Sequence, residues 1–224
     1  MILLLHGFNC DPSVWDGVIP EIAGRDMVVA PYLPWHRDGE NDGAEPTVEG
    51  LAQAVAGRHL RAEEPAVVVG HSLGGMVALH LAHLYPDMLT GLVLVDAFPS
   101  LELNRRVLPD MYGPETSPEV AARAGAMMSR GRERMNPNAH ARIWASIESM
   151  DASPWLGDLR LPLLGVYGGR GRRDADEVKR LLGLDRVPEA QVVLAPKSGH
   201  FVMWEDPATL LAALKPFLAS LAPC

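Results

Sequence analysis

The chain has 224 residues, of which 48% are hydrophobic and 21% are charged, and its formal net charge at pH 7 is -8. This composition is that of an ordinary globular protein with enough apolar mass for one core. The acidic balance argues against nucleic acid as a partner, and no apolar run is long enough to cross a membrane. With two cysteines and no disulfide framework, we expect a cytoplasmic protein, as a monomer or homodimer.

Short apolar runs alternate along the chain with longer segments that carry apolar residues at helical spacing. The runs are Ile2–Leu5, Met27–Ala30, Ala66–Val69, Leu92–Val95, Leu163–Tyr167 and Gln191–Leu194. The helical segments between them are Val14–Ala23, Val48–Leu60, Gly74–Leu84, Asp174–Leu182 and Pro207–Leu218. This alternation is typical of parallel strands joined by crossover helices. It predicts an α/β fold, a three-layer α/β/α sandwich with a mostly parallel sheet of about six strands.

The alternation stops between residues 98 and 161, where no strand pattern occurs and residues 119–129 and 138–150 look helical. We therefore predict an α/β core formed by residues 1–97 and 162–224, with residues 98–161 as a small helical cap insertion. The insertion contains several methionines and tryptophans, among them Met128 and Trp144. Such side chains either form a small core of their own or line a binding surface.

The strongest chemical signal is Gly70-His71-Ser72-Leu73-Gly74, a G-x-S-x-G pattern between an apolar run and a helical segment. A serine hydroxyl becomes a nucleophile when a strained strand-to-helix turn exposes it and a base removes its proton. The small residues at positions 70 and 74 allow that turn. The pattern therefore predicts Ser72 as a nucleophile.

Two further segments follow predicted strands. Ser198-Gly199-His200-Phe201 comes after the last run, at the rim where the carboxyl ends of parallel strands meet, and we predict His200 as the base. His6-Gly7-Phe8-Asn9 comes after the first run. The backbone N–H groups of Phe8 and Leu73 would together form an oxyanion hole.

These motifs, in this order and at this spacing, resemble the α/β-hydrolase superfamily over essentially the whole chain. The resemblance implies a serine hydrolase with a catalytic triad, a helical cap and neither a metal ion nor a cofactor. Because the first run corresponds to the strand usually counted third in the family, we expect a minimal member.

The sequence departs from the family pattern at the triad acid. The family usually places this acid after the strand that follows the cap, in a segment like G-x-x-D, and here the segment is Gly168-Gly169-Arg170-Gly171. Asp96 ends the preceding strand and reaches the same rim. Haloalkane dehalogenases and cofactor-independent quinolone dioxygenases of this fold carry their acid there. We therefore predict Asp96 as the acid, with Asp174, which looks like a helix N-cap, as the alternative.

Together these features predict an enzyme that cleaves an ester or lactone bond of a small, largely apolar substrate through an acyl-enzyme at Ser72. A C–C bond hydrolase or lyase, a cofactor-independent oxygenase and a non-catalytic small-molecule-binding protein remain open as alternatives on the same fold. The side chains expected to contact the substrate are His6, Asn9, Trp35, His71, Met128, Trp144 and Phe201.

Overall fold

The computed structural model describes residues 1–24, 27–37 and 43–221. Its strands form one six-stranded sheet in the order β2-β1-β3-β4-β5-β6, and every neighbouring pair is parallel. The strands are β1 Ile2–Leu5, β2 Val28–Val29, β3 Ala66–His71, β4 Leu89–Val95, β5 Leu163–Gly168 and β6 Gln191–Ala195. The predicted parallel sheet is confirmed, and β3 and β4 lie at its centre.

The helices pack on both faces of the sheet, and those before β6 belong to the connections between strands. Within the described residues they are α1 Ile19–Ile22, α2 Val48–His59, α3 Leu73–Leu84, α4 Leu101–Val107, α5 Pro118–Arg134, α6 Pro137–Ser149, α7 Ala175–Leu181, α8 Val202–Glu205 and α9 Pro207–Ser220. None of these helices combines the length and the hydropathy that a membrane span requires. Sheet and helices together form the predicted α/β/α sandwich.

Both faces of the sheet are buried, which explains why its strands are continuously apolar. Successive side chains of β1 point in opposite directions, so Leu3 packs into the core under α2 and α3, and Leu4 packs into the core under α9. Leu51 of α2 belongs to the first core and Leu210 of α9 to the second. The carboxyl ends of the strands are thereby fixed along one rim.

The helix predicted over Val14–Ala23 is replaced by two short elements. A 3-10 helix covers Pro12–Trp15, and α1 begins only at Ile19. Pro20 stands in the first turn of α1 and has no N–H to donate, so a continuous helix through it would lose a hydrogen bond. The sequence prediction was therefore wrong about the continuity of this segment.

The segment between β4 and β5, residues 98–161, contains α4, α5 and α6 and is called the β4–β5 segment below. It packs against the core at separate places. Ser146 Oγ accepts a hydrogen bond from the Val48 N–H at 3.0 Å. Gly131 of α5 lies so close to the loop after β1 that a Cβ there would come within 2.0 Å of the Asn9 carbonyl oxygen. The β4–β5 segment therefore lies directly over the loop that follows β1.

Candidate active site

Ser72 occupies a sharp turn between β3 and α3. Its φ of 52° and ψ of -120° are a combination that residues with a side chain rarely adopt. The Ser72 N–H donates to the Val95 carbonyl of β4 at 3.2 Å, and the Ser72 carbonyl accepts from the N–H groups of Gly75 and Met76. The neighbouring strand and the first turn of α3 therefore hold the strained residue in place.

Glycines on either side of Ser72 make this turn possible. A Cβ on Gly70 would lie 2.3 Å from the Gly74 carbonyl oxygen, and one on Gly74 would lie 2.3 Å from the Leu5 carbonyl oxygen. The opposing atoms belong to the backbone, so they cannot move aside as a flexible side chain would. The G-x-S-x-G pattern thus reflects the close contact of α3 with β1 and β3.

Two backbone N–H groups are free to receive negative charge beside Ser72. Leu73 begins α3, and N–H groups of a first helical turn have no partner within the helix. Phe8 lies in the loop after β1, and among the described residues its N–H donates to no backbone carbonyl. Phe8, Ser72 and Leu73 line the same cavity. This arrangement can stabilise an oxyanion that forms next to the serine.

Buried histidines support the loop after β1. His6 donates from Nδ1 to the Gly7 carbonyl at 2.9 Å and accepts at Nε2 from the Leu33 N–H at 3.0 Å. The ring of His36 packs edge-on against that of His6, and its Nδ1 donates to the Pro34 carbonyl. Burial lowers the pKa of His6 to about 4 and that of His36 to about 3. Both rings are therefore neutral at pH 7.

His200 lies in the loop between β6 and α8, and backbone hydrogen bonds fix this loop on both sides of it. The Glu205 carboxylate accepts from the Gly199 N–H at 2.9 Å and from the Phe201 N–H at 3.1 Å. The His200 N–H donates to the Met111 carbonyl of the β4–β5 segment at 2.8 Å. The position of the imidazole therefore depends on contacts with both the core and the β4–β5 segment.

The His200 side chain contacts Asp96, which directly follows β4. Its Nδ1 lies 2.6 Å from Asp96 Oδ2. Asp96 Oδ1 accepts from the Gly168 N–H at 3.0 Å, and the two terminal nitrogens of Arg170 donate to the two carboxylate oxygens at 2.8 Å each. The Asp96 carboxylate is fully buried, but each of its oxygens has two donors.

The charge of Asp96 is stabilised by these partners. Burial by itself would raise the pKa of the carboxyl group, but the charge of Arg170 and the hydrogen bonds from Arg170 and His200 outweigh it and lower the pKa to about 2. A carboxylate at Nδ1 of His200 keeps a proton on that nitrogen and leaves the lone pair on Nε2. This is the tautomer that can act as a general base.

The groups described above face one cavity of about 470 Å³, which is within the usual size range of small-molecule sites. Ser72 and His200 both contribute to its wall. Much of the remaining wall is apolar and is formed by Met76, Phe98, Leu101, Met128, Ile147 and Phe201. No cluster of His, Cys, Asp or Glu side chains that could hold a metal ion occurs in the residues that the structure describes.

Five of the seven side chains predicted to contact a substrate lie on this wall, namely Asn9, His71, Met128, Trp144 and Phe201. The described residues of the wall do not include His6 or Trp35. Both ring nitrogens of His6 are used to support the loop after β1, and Trp35 donates its Nε1–H to the Ala44 carbonyl at 3.0 Å. At these two positions the side chains have structural partners, and their predicted contact with a substrate stays a prediction.

His71 connects the nucleophile turn with the loop that carries His200. Its Nε2–H donates to the His200 carbonyl at 3.0 Å. Burial, with a smaller contribution from the nearby His200, lowers the pKa of His71 to about 3, so the ring is neutral at pH 7. His71 therefore joins the two sides of the site through a hydrogen bond that requires no charge.

The alternative acid, Asp174, lies exposed at the start of α7. Its carboxylate accepts a hydrogen bond from the Glu177 N–H at 2.8 Å, as expected of an N-cap. The Nδ1 of His200 is already bonded to Asp96. The structure thus brings Asp96, and not Asp174, to the imidazole.

Sequence reasoning missed the role of Arg170 in this site. The residue lies in the segment where the family usually carries its acid, and it has a φ of 48°, while Gly171 beside it has a φ of 91°. The available signal was an arginine at the expected place of a carboxylate. Such a signal becomes interpretable only when the position of Asp96 is known.

A protein-family model matches nearly the whole chain, including all strands of the sheet. The model described as "Alpha/beta hydrolase family" matches residues 2–214. The matched range includes all six strands, the β4–β5 segment and the loop that carries His200. The match therefore covers every residue of the site described above.

Individual relatives agree with this family match. An uncharacterized protein of Mycobacterium tuberculosis is 36% identical, and the alignment covers 99% of this chain and 76% of that protein. A pimeloyl-[acyl-carrier protein] methyl ester esterase of Neisseria meningitidis is 25% identical over 89% of this chain and 70% of its own length. The solved structure of a thermophilic esterase from Thermogutta terrifontis has a TM-score of 0.76 at 22% identity, covering 99% of this chain and 90% of that one, and this similarity concerns the fold.

Proposed function

Because the chain belongs to the alpha/beta hydrolase family, we propose that it hydrolyses an ester or lactone bond of a small, largely apolar molecule. The observation that carries this proposal is the 2.6 Å contact of His200 Nδ1 with Asp96, on the wall of the cavity that also contains the strained Ser72. A neutral imidazole with its Nδ1 proton bonded to a carboxylate is ready to accept a proton at Nε2.

The first half of the reaction forms an acyl-enzyme. Ser72 Oγ attacks the substrate carbonyl carbon, and its proton passes to His200 Nε2. The carbonyl oxygen becomes an oxyanion that accepts hydrogen bonds from the N–H groups of Phe8 and Leu73, each worth on the order of 10² to 10³ in rate. When the tetrahedral intermediate collapses, the alcohol leaves with the proton from His200.

The second half returns the enzyme to its starting state. A water molecule loses a proton to His200 Nε2 and attacks the acyl carbon, and the same two N–H groups again hold the oxyanion. Collapse then breaks the bond to Ser72 Oγ, which regains a proton from His200. The products are a carboxylic acid and an alcohol, or a hydroxy acid where the substrate is a lactone.

The shape and composition of the cavity support an apolar substrate. Side chains of the β4–β5 segment, such as Met128 and Trp144, form part of the wall, and we propose that this segment acts as a cap over the site. The Neisseria relative is named as a methyl ester esterase, which makes esters of short alcohols suitable first substrates. No metal ion or cofactor has a role in this scheme.

The nucleophile can be tested without knowing the natural substrate. We expect a fluorophosphonate ester to modify the protein once, at Ser72, as detected by intact-mass and peptide mass spectrometry. Ser72→Ala should remain unmodified, because no activated hydroxyl is left. Ser129→Ala, in which an exposed serine of α5 is removed, should react like the wild type.

The reaction is tested with a series of p-nitrophenyl and methyl esters, together with simple lactones. We expect turnover that depends on Ser72 and improves as the acyl chain extends along the apolar wall. If Ser72 is labelled but no ester or lactone is hydrolysed, C–C bond cleavage replaces ester hydrolysis as the leading reaction. If Ser72 is neither labelled nor required for any turnover, the proposed function is wrong.

A further inference from the structure

The most heavily bonded charged side chain near the cavity belongs to Arg170. Its side chain is only 5% exposed, and its terminal nitrogens bind both oxygens of Asp96 at 2.8 Å. It also donates to the Gly168 carbonyl at 2.5 Å and, through Nε, to the Asp110 carbonyl at 2.5 Å. Every nitrogen of the guanidinium group therefore has a protein acceptor.

We infer that Arg170 is a positioning residue, which fixes the Asp96 carboxylate for His200 and offsets part of its negative charge. This inference rests on the proposed function, because it concerns the same acid and base. It extends that function by assigning a role to the segment that usually supplies the acid itself. Here the segment supplies the cation that binds a carboxylate from the neighbouring strand.

The bidentate ion pair between Arg170 and Asp96 fixes the orientation of the carboxylate. A bidentate pair fixes the plane of a carboxylate as well as its location. With Oδ1 held by Arg170 and Gly168, and Oδ2 held by Arg170, the remaining acceptor direction of Oδ2 points to His200 Nδ1. Without Arg170 the carboxylate could rotate, and the imidazole would lose its fixed orientation.

One carboxylate oxygen of Asp96 bonds both the guanidinium and the imidazole. Arg170 and His200 donate to the same Asp96 Oδ2, so the guanidinium lies next to the imidazole. The two donors therefore share the negative charge of the Asp96 carboxylate. Loss of the guanidinium would leave the full carboxylate charge acting on the imidazole.

Other ionisable groups around this pair come from several elements. The groups that interact with Asp96 or Arg170 are His71 at the end of β3, Tyr167 in β5, Asp110 in the β4–β5 segment, His200 after β6 and Glu205 in α8. His71 and Tyr167 are neutral at pH 7, because burial lowers the pKa of the first and raises that of the second. Among these groups and the ion pair itself, Arg170 is the one with a permanent positive charge.

The test compares Arg170→Gln, Arg170→Lys and the control Arg172→Gln. Arg172 lies on the same loop, but it pairs with Glu177 at the surface, at a side-chain exposure of 38%. We expect Arg170→Gln to lower kcat about 10- to 100-fold with KM nearly unchanged, and to move the acid limb of the pH profile upward. Arg170→Lys should keep the acid limb in place and recover part of kcat, and the control should match the wild type.

A second measurement does not need turnover. The His200 Nδ1 proton bonded to Asp96 is expected as a strongly downfield, exchange-protected proton NMR signal in the wild type and in Arg172→Gln. In Arg170→Gln this signal should be lost, because the proton exchanges with solvent.

Two kinetic outcomes would overturn the inference. One is a wild-type kcat and acid limb in Arg170→Gln, and the other is an equal loss of kcat in both Arg170 variants with no change in the acid limb. An intact NMR signal in Arg170→Gln would overturn it even if no ester substrate were found, whereas inactivity of the wild type would count only against the proposed function.

Discussion

The two sides of the candidate site are held in place by different chemistry. On the nucleophile side, Ser72 and the loop after β1 are fixed by close backbone contacts of Gly70 and Gly74 and by the neutral rings of His6 and His36. On the acid–base side, His200 is fixed by charged groups, namely Asp96, Arg170 and Glu205. The same site thus holds one group of residues by steric contacts and the other by charged contacts.

The difference matches what each side has to do. In the proposed reaction the nucleophile side presents backbone N–H groups, and a nearby carboxylate would compete with the oxyanion for them. The acid–base side must keep a carboxylate ionised in a fully buried position, which requires a positive partner. The two sides should therefore respond differently to added bulk, to pH and to loss of charge.

The largest effect is expected from bulk on the nucleophile side. Gly74→Ala places a Cβ about 2.3 Å from the Leu5 carbonyl oxygen. Both α3 and β1 are packed in the core, so neither backbone can move away. We expect loss of activity together with a fall in stability of several kcal/mol, measured by urea unfolding. Gly125→Ala in α5 is the matched control, since nothing lies within 4 Å of its added Cβ, and it should be neutral or stabilising by up to about 1 kcal/mol. Equal stability of the two variants would mean that the nucleophile side is not held sterically.

The next effect is expected from acidic pH, again on the nucleophile side. His6, His36 and His71 have folded pKa values of about 4, 3 and 3, below their value of 6.5 in an unfolded chain. Below pH 6.5 the unfolded state binds more protons, so stability is lost as pH falls from 7 toward 4, by up to roughly 4 kcal/mol per pH unit. The pKa of Asp96 is about 2, so its contribution remains until pH falls below about 4.

Urea unfolding at a series of pH values between 7 and 4 measures this slope. His36→Asn keeps a donor for the Pro34 carbonyl but removes one titrating ring, so the slope should decrease by about a third. If the wild type is equally stable at pH 7 and pH 5, the buried histidines do not support the nucleophile side in the way described.

Loss of charge on the acid–base side is expected to have the smallest effect on stability. Its effect on the rate should nevertheless be large. Asp96→Asn should lower kcat by about 10² to 10⁴, because the imidazole loses tautomer control and the stabilisation of its protonated form. It should also cost a few kcal/mol of stability, since Arg170 is left buried without its partner. Asp174→Asn, at the exposed cap of α7, should keep wild-type kcat within about two-fold.

A double variant separates the two consequences of losing Asp96. Asp96→Asn combined with Arg170→Gln removes both charges and should recover most of the lost stability without recovering activity. Recovery of activity in the double variant would show that Asp96 acts only as a partner of Arg170. Wild-type activity of Asp96→Asn would exclude it as the acid.

Much of the fold was predictable because the strands are buried on both faces and therefore stand out as apolar runs. Ile2–Leu5 was predicted with the bounds that the structure has, whereas Met27–Ala30 is reduced to Val28–Val29 at the edge of the sheet. Helix α4 in the β4–β5 segment was not predicted, since its start depends on Ser100 accepting from the Leu103 N–H rather than on a clear apolar period. Its Leu101 nevertheless forms part of the cavity wall.

The site was predictable where function requires a local pattern and less so where it requires distant partners. Ser72 lies in a motif of five residues, and Asp96 ends a clear strand. His6 follows a strand in the same way as a site residue would, but its nitrogens bind Gly7 and Leu33, which only the folded chain reveals. The role of Arg170 depends on a partner 74 positions away.

The backbone conformation at Gly171 restricts which residues can occupy the loop after β5. A Cβ at this position would have no neighbouring atom within 4 Å, but the backbone would have to keep a φ of 91°, which a residue with a side chain adopts only at a cost in stability. An acid placed at Gly171 by a single exchange would therefore lower stability unless the loop changed conformation as well.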